Sequence, residues 1–236
     1  MSDNSISLNK YVSQTGICSR READKWIDAG RIKINGKKAQ KGNRVGDNDK
    51  VTVDGKPLKN KPKPVYIALN KPPGITSTTD RKDRDNIIDF VGHSKRIFPI
   101  GRLDKASSGL ILMTNDGDIV NKILRVENQH DKEYIVTVDR PISQHFIKKM
   151  SSGIPILGTV TKKCVVQKIG KSRFKIILTQ GLNRQIRRMC EHLDYNVLTL
   201  KRVRIMNIQL DGIKVGSWRN LTSKELSVLK GKLKKK

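Results

Sequence analysis

Apolar residues recur along this chain with two different periods, and the change of period marks out its elements. Leu8, Tyr11, Val12 and Thr15 recur at helical spacing, and Gly16 ends that run. Ser19-Arg20-Arg21-Glu22 then has the form of a capping box, in which Ser19 takes the Glu22 amide and Glu22 reaches back. Ala23, Trp26 and Ile27 make one face of the helix that follows, and Gly30 closes it. From there the period drops to two. Ile32 and Ile34 alternate with Arg31 and Lys33, Asn35-Gly36 is a tight-turn pair, and a strand from Lys50 to Asp54 ends at Asp54-Gly55. Two short helices and a hairpin are expected, forming a small module over residues 6–54.

Residues 55–64 break the pattern. Lys56-Pro57-Leu58-Lys59-Asn60-Lys61-Pro62-Lys63-Pro64 is rich in proline and lysine, which favours an extended, semi-rigid tether. Beyond it, residues 65–230 read as one larger domain in which strands outnumber helices. Val65 to Leu69 is a strand that stops at the Lys71-Pro72-Pro73-Gly74 turn. Ile111 to Met113, Tyr134 to Val138, Cys164 to Val166 and Phe174 to Leu178 read as buried strands. Helices are expected over Gly117 to Arg125, Ser143 to Met150 and Asn183 to Leu193. In the last, Ile186, Met189, Cys190 and Leu193 share a face while Arg184, Arg187 and Arg188 project elsewhere. The expected class is α+β, with a mixed, mainly antiparallel sheet, and the basic tail 231–236 is expected to fray.

Charge changes this picture more than size does. Against 22 Asp and Glu stand 49 Lys and Arg, a net charge of +27 over 236 residues. Such an excess attracts polyanions and makes binding salt-dependent, so nucleic acid is the favoured partner. Arg20 and Arg21 open the second helix, where free amides and the helix dipole already favour phosphate, and Lys33 and Lys37 follow in the hairpin. A membrane surface would call for an apolar span or an amphipathic basic anchor, and neither is visible. The N-terminus lacks an apolar signal core, so a cytoplasmic protein is expected. No recognition-helix context suggests DNA, and a monomer is expected. Cys18, Cys164 and Cys190 are too scattered for a disulfide framework, and no histidine spacing suits a metal.

One polar segment carries candidate chemistry. Ile100-Gly101-Arg102-Leu103-Asp104-Lys105-Ala106-Ser107-Ser108-Gly109-Leu110 places a carboxylate between two cations in a loop bracketed by glycines. The cations favour the ionised form of Asp104, which suits a nucleophile or base. The same arrangement suits half of a structural ion pair, and spacing does not choose between them.

The wording of the chain goes further. Leu8-Asn9-Lys10-Tyr11-Val12, Gly16 to Ala23 and Ile32 to Lys37 together resemble the S4-type RNA-binding domain. Gly101-Arg102-Leu103-Asp104, Ser108-Gly109-Leu110 and Thr114-Asn115-Asp116-Gly117 resemble the signature of the pseudouridine synthases. Leu69 to Gly74, Lys132-Glu133-Tyr134 and Gly181 to Met189 agree in order. The resemblance is to the branch that modifies ribosomal RNA, and Cys190-Glu191-His192 and Arg202 to Met206 are similar to its 23S enzymes.

That resemblance implies isomerisation of a uridine to pseudouridine in 23S ribosomal RNA, with a transfer RNA as the other enzymatic substrate. A binding factor that kept the fold and lost the chemistry is the alternative from another class. It implies Asp104 acting on the ribose of a flipped nucleotide, Tyr134 stacking on the base, and no cofactor or metal, since product and substrate are isomers. A basic partner for Asp104 is implied too. Arg187 matches the motif, but Leu182 stands where many relatives carry a cation, which leaves Arg184 and Arg187 both open. Lys71, Arg102, Arg184 and Arg188 join Arg20, Arg21, Lys33 and Lys37 as expected RNA contacts.

Overall fold

A computed structural model of the chain describes residues 5–125, 127 and 129–234. The chain forms two compact units. One holds the chain up to Pro64 with Ser94–Arg96 and Asn115–Gly117; the other holds Val65–His93, Ile97–Thr114 and the residues from Asp118 on.

In the front unit, β1 (Ile6–Ser7) leads into helices α1 (Leu8–Gln14) and α2 (Arg20–Asp28). The Ser19 side chain caps α2 by accepting from the Glu22 amide. The expected return bond is replaced: the Glu22 carboxylate accepts the Trp26 indole N–H at 3.1 Å, one turn on. Strands β2 (Ile32–Ile34) and β3 (Lys37–Lys38) form the hairpin, with Asn35 and Gly36 at φ 50° and 82° as its two turn residues. After β4 (Arg44–Val45), β5 (Val51–Val53) pairs with β2, and Asp54-Gly55 repeats the same kind of turn. The tether expected from Gly55 therefore starts later. β6 (Lys56–Pro57) pairs with β5, and Leu58 packs against the core of Leu8, Val12, Ala23, Ile27, Ile32 and Val53.

The second unit is built on β7 (Tyr66–Lys71), α3 (Ile87–Val91), β8 (Phe98–Ile100), β9 (Ser108–Thr114), α4 (Gly117–Leu124), β10 (Lys132–Val138) and α5 (Gln144–Ser152). There follow β11 (Pro155–Ile156), β12 (Thr159–Val160), β13 (Val165–Gly170), β14 (Arg173–Leu178), α6 (Gln185–Glu191), β15 (Val197–Ile205), β16 (Ile208–Gln209), β17 (Trp218–Asn220) and α7 (Ser223–Lys234). The main sheet runs β13-β14-β10-β15-β9-β7-β17. Its pairs are antiparallel except β15 with β9, so the sheet is mixed and mainly antiparallel as expected.

Alternation sets two cores. Ile67, Leu69, Ile111 and Met113 face one side, covered by Phe146 and Met150 of α5 and Ile186 and Met189 of α6. Tyr66, Ala68, Leu110 and Leu112 face the other, covered by Ile119 and Ile123 of α4 and Leu229 of α7. With both faces covered, β7 is buried throughout. Two expectations change. The strand expected to be buried over Cys164 to Val166 starts at Val165 and lies at the sheet edge: Cys164 and Val166 are half-buried against the core, while Val165 and the residues after Val166 are exposed. The tail expected to fray from 231 is helical to Lys234 as part of α7; residues 235–236 lie outside the described residues.

Candidate active site

Asp104 stands in the connection between β8 and β9, and the glycines that bracket it are required. Gly101 has φ 76°, and a Cβ there would lie 2.9 Å from Leu124. Gly109 has φ 100°, and a Cβ there would fall 2.2 Å from the Arg202 carbonyl oxygen across the parallel pair. Between them the loop is pinned from beneath. Ser77 Oγ donates to the Leu103 carbonyl at 2.8 Å and accepts from the Leu103 amide at 3.1 Å. The Ser107 amide donates to the Asp104 carbonyl at 3.0 Å, closing the turn.

The underside anchor is Lys71, at the end of β7. It is 0% exposed, and its ammonium donates to the carbonyls of Pro72 (2.9 Å), Ile75 (2.7 Å) and Lys105 (3.4 Å). Burial pushes its pKa down to about 8, opposed by the charge of Asp104 and assisted by Arg202. Lys71 was expected to touch RNA. The structure corrects this: a cation with no exposed surface, its donors spent on three loop carbonyls, shapes the loop instead.

The charge partner comes from α6. Arg187 Nε lies 3.7 Å from Asp104 Oδ2, with side-chain exposures of 11% and 40%. Its Nη1 donates to the Val197 carbonyl (3.2 Å) and its Nη2 to Ser107 Oγ (3.3 Å), so the guanidinium is held from three sides. Arg184 stands at the helix N-cap with φ 50° and faces Glu191 at 4.0 Å. Of the two arginines left open by the sequence, Arg187 is the one the fold brings to Asp104. The flanking cations do not close on the carboxylate as the local sequence suggested. Lys105 pairs with Asp85 at 2.7 Å, and Arg102 is exposed.

Tyr134 lies on β10 between Ile176 and Arg202, in the same apolar cluster as Leu103 and Ile186. Arg188 bonds the Asn183 carbonyl and side chain, while Arg20, Arg21, Lys33 and Lys37 are exposed on the front unit. Sequence reasoning missed Ser107, a buried serine that bridges the loop to Arg187, and Arg202 as a buried cation beside Tyr134. Only the apolar surroundings of Arg202 in the text hinted at it. The cysteines offer no nucleophile: burial pushes Cys190 up to about 12.

A half-exposed carboxylate held against a fixed guanidinium in a pinned loop suits attack on or deprotonation of a sugar. Comparison with known proteins agrees with that chemistry. A family model described as RNA pseudouridylate synthase matches residues 65–192, and an S4 domain model matches residues 7–51. The dual-specificity RNA pseudouridine synthase RluF of Escherichia coli (strain K12) is 60% identical over 226 residues, covering 95% of this chain and 78% of that protein. The ribosomal large subunit pseudouridine synthase B of Bacillus subtilis (strain 168) is 34% identical over 232 residues, covering 94% of this chain and 95% of that protein. A crystal structure of a pseudouridylate synthase matches with TM-score 0.70 at 26% identity, covering 95% of this chain and 99% of that one. The chain therefore belongs to the RNA pseudouridine synthase family, an isomerase of uridine in RNA with an S4 domain in front of its catalytic unit.

Proposed function

We propose that this enzyme isomerises a uridine of 23S ribosomal RNA, with Asp104 acting on the ribose of a nucleotide flipped out of the RNA. The observation that carries the reading is the Asp104–Arg187 pair, 3.7 Å apart, with the carboxylate the more exposed partner. Asp104 attacks or deprotonates the sugar, the base detaches, turns and rejoins through carbon, and the atoms balance without a cofactor. Tyr134 is the wall against which the base lies, and Arg187 holds the carboxylate aimed. Flipping costs about a few kcal/mol, which a broad phosphate grip offsets. Arg20, Arg21, Lys33 and Lys37 supply that grip from residues 6–54, and Arg102, Arg184 and Arg188 from residues 65–230. The enzyme works in the cytoplasm as a monomer, on RNA rather than DNA.

The relatives carrying the name RluF are called dual-specificity enzymes, which favours a second RNA. A transfer RNA, with a uridine flippable in a loop, is that second reading. Profiling pseudouridines in cells with and without the gene, and with Asp104→Asn in its place, tests both. Loss of the mark from 23S ribosomal RNA, from a transfer RNA, or from both, with RNA binding retained by the variant, is expected. Persistence of every mark in the Asp104→Asn cells would remove Asp104 from the mechanism.

A further inference from the structure

Asp104, Arg187 and Tyr134 leave unexplained a second guanidinium, buried more deeply than that of Arg187. Arg202 lies on β15 and is 3% exposed. Its Nε donates to the Leu110 carbonyl at 2.7 Å, on the strand that leaves the Asp104 loop. Its Nη2 is fully buried and has no hydrogen-bond partner. Two cations share its surroundings: Arg202 helps push down both Lys71, which Asp104 opposes, and Lys132, which Asp131 opposes. Tyr134 is its neighbour across the β10–β15 ladder, beside a bulge, and the guanidinium carbon sits 6.0 Å over the ring centroid. That is the outer reach of a cation–π contact.

A buried cation with like charges nearby and a donor left over works against folding. An aliphatic side chain of similar length would fill the same space without that burden. What it would not do is bond the Leu110 carbonyl and face the Tyr134 ring at once. We propose that Arg202 is a positioning residue that acts through Tyr134, tying the ring to β9 so that ring and Asp104 loop keep one placement as the base enters. This rests on Tyr134 being the wall that receives the base. It adds the group that fixes the wall.

The test uses the full chain with 3-fluorotyrosine placed at position 134, and R202M and R202K variants. Single-turnover rate at saturating RNA, RNA affinity, melting temperature and the fluorine resonance are measured on each. R202M is expected to lower the rate by about tenfold or more, as a small misplacement at a reacting centre does. Affinity stays within about twofold, the melting temperature does not fall, and the resonance shifts or splits. R202K, which keeps the charge without the planar fork, recovers part of the rate. An unchanged rate overturns the proposal. So does a lower rate with an unmoved resonance, because Arg202 then acts by another route. A rate loss that follows a fall in melting temperature in both variants makes Arg202 merely structural, which also overturns it. If R202M fails to fold, R202K against the native chain carries the same readouts, with a smaller loss of rate. Tyr134→Leu separates the two claims. Full turnover in that variant would sink the base-wall reading, while the resonance in the fluorotyrosine-bearing R202M chain would still report whether Arg202 holds the ring.

Discussion

The two units of this protein place positive charge at different depths. In the front unit Arg20, Arg21, Lys33 and Lys37 are exposed over a core made only of apolar side chains. In the catalytic unit Lys71 and Arg202 lie inside the fold, and Arg187 is nearly so. Exposed charges are screened by salt, move with their side chains and add up roughly one by one, which suits a grip on phosphates whose positions vary. Buried charges are scarcely screened and are fixed by their hydrogen bonds, which suits geometry at a reacting centre. Cations of the same type are thus suited to different roles by their depth.

The largest expected break in this contrast is at Arg187. Arg187→Met frees Asp104 and leaves Ser107 and the Val197 carbonyl without their donor. Single-turnover rate should fall by about 100-fold, with RNA affinity nearly unchanged. Arg187→Lys should recover little, since one ammonium cannot serve three acceptors set around a planar fork. A fall in affinity as large as the fall in rate would mean that Arg187 grips RNA, the role proposed for the front cations.

Lys71 comes next, with an effect on stability. Lys71→Met leaves the Pro72 and Ile75 carbonyls without their donor, while the Lys105 carbonyl keeps the Gly74 amide, and should cost about 3 kcal/mol, read as a drop in the urea midpoint of the catalytic unit. The sign of its pH dependence is distinctive. Folding lowers its pKa from 10.5 to about 8, so between those values the unfolded chain binds more protons than the native one. Stability should therefore rise with pH across that window and be lost as pH falls through 8. The Lys71→Met protein should lack that alkaline gain. A native chain whose stability is flat between pH 8 and 10 would show that Lys71 is not held in a desolvated site.

The same depth contrast decided what the sequence revealed. The front module was legible because every signal in it is local: the Ser19 cap, the Asn35-Gly36 and Asp54-Gly55 turns, and apolar faces at fixed spacing. In the catalytic unit the strands β7, β9, β10 and β14 were legible by alternation or by continuous apolar runs. Three things were not. Lys71 follows an apolar strand and precedes two prolines, and nothing local says whether such a lysine points out or in; three carbonyls, one of them 34 residues away, decide it. Arg202 and Tyr134 are 68 residues apart in sequence and meet only through the β10–β15 register. The rim position of β13 depends on which strand ends the sheet, and its apolar composition reads as buried. Asp104 was visible from the start, but the choice of Arg187 over Arg184 needed the left-handed turn at Arg184 that rotates the two arginines apart.

A smaller effect is expected at the front-unit cations. Replacing Arg20 and Arg21 together with Gln should weaken RNA binding by about tenfold at moderate salt and reduce the slope of log affinity against log salt by about 2. The single-turnover rate at saturating RNA should not change. A fall in that rate would place the front unit in the chemistry rather than in the grip.

The smallest effect tests whether depth or unit membership decides. Glu225 caps α7 in a reciprocal box with Thr222 and pairs with Arg219 at 2.8 Å, in the catalytic unit but near its surface. The Arg219 guanidinium holds its carboxyl down to about 2, against an ordinary 4.5. A depressed carboxylate contributes stability that is present above 4.5 and is lost as pH falls toward 2. Because Arg219 is more than a third exposed, solvent screening reduces the contribution to about 1 kcal/mol. Glu225→Gln should therefore lower the urea midpoint only slightly at neutral pH, flatten the acid limb of the stability curve, and leave the reaction rate alone. A loss as large as that of Lys71→Met would show that charges in the catalytic unit matter because of where the chain places them, whatever their depth.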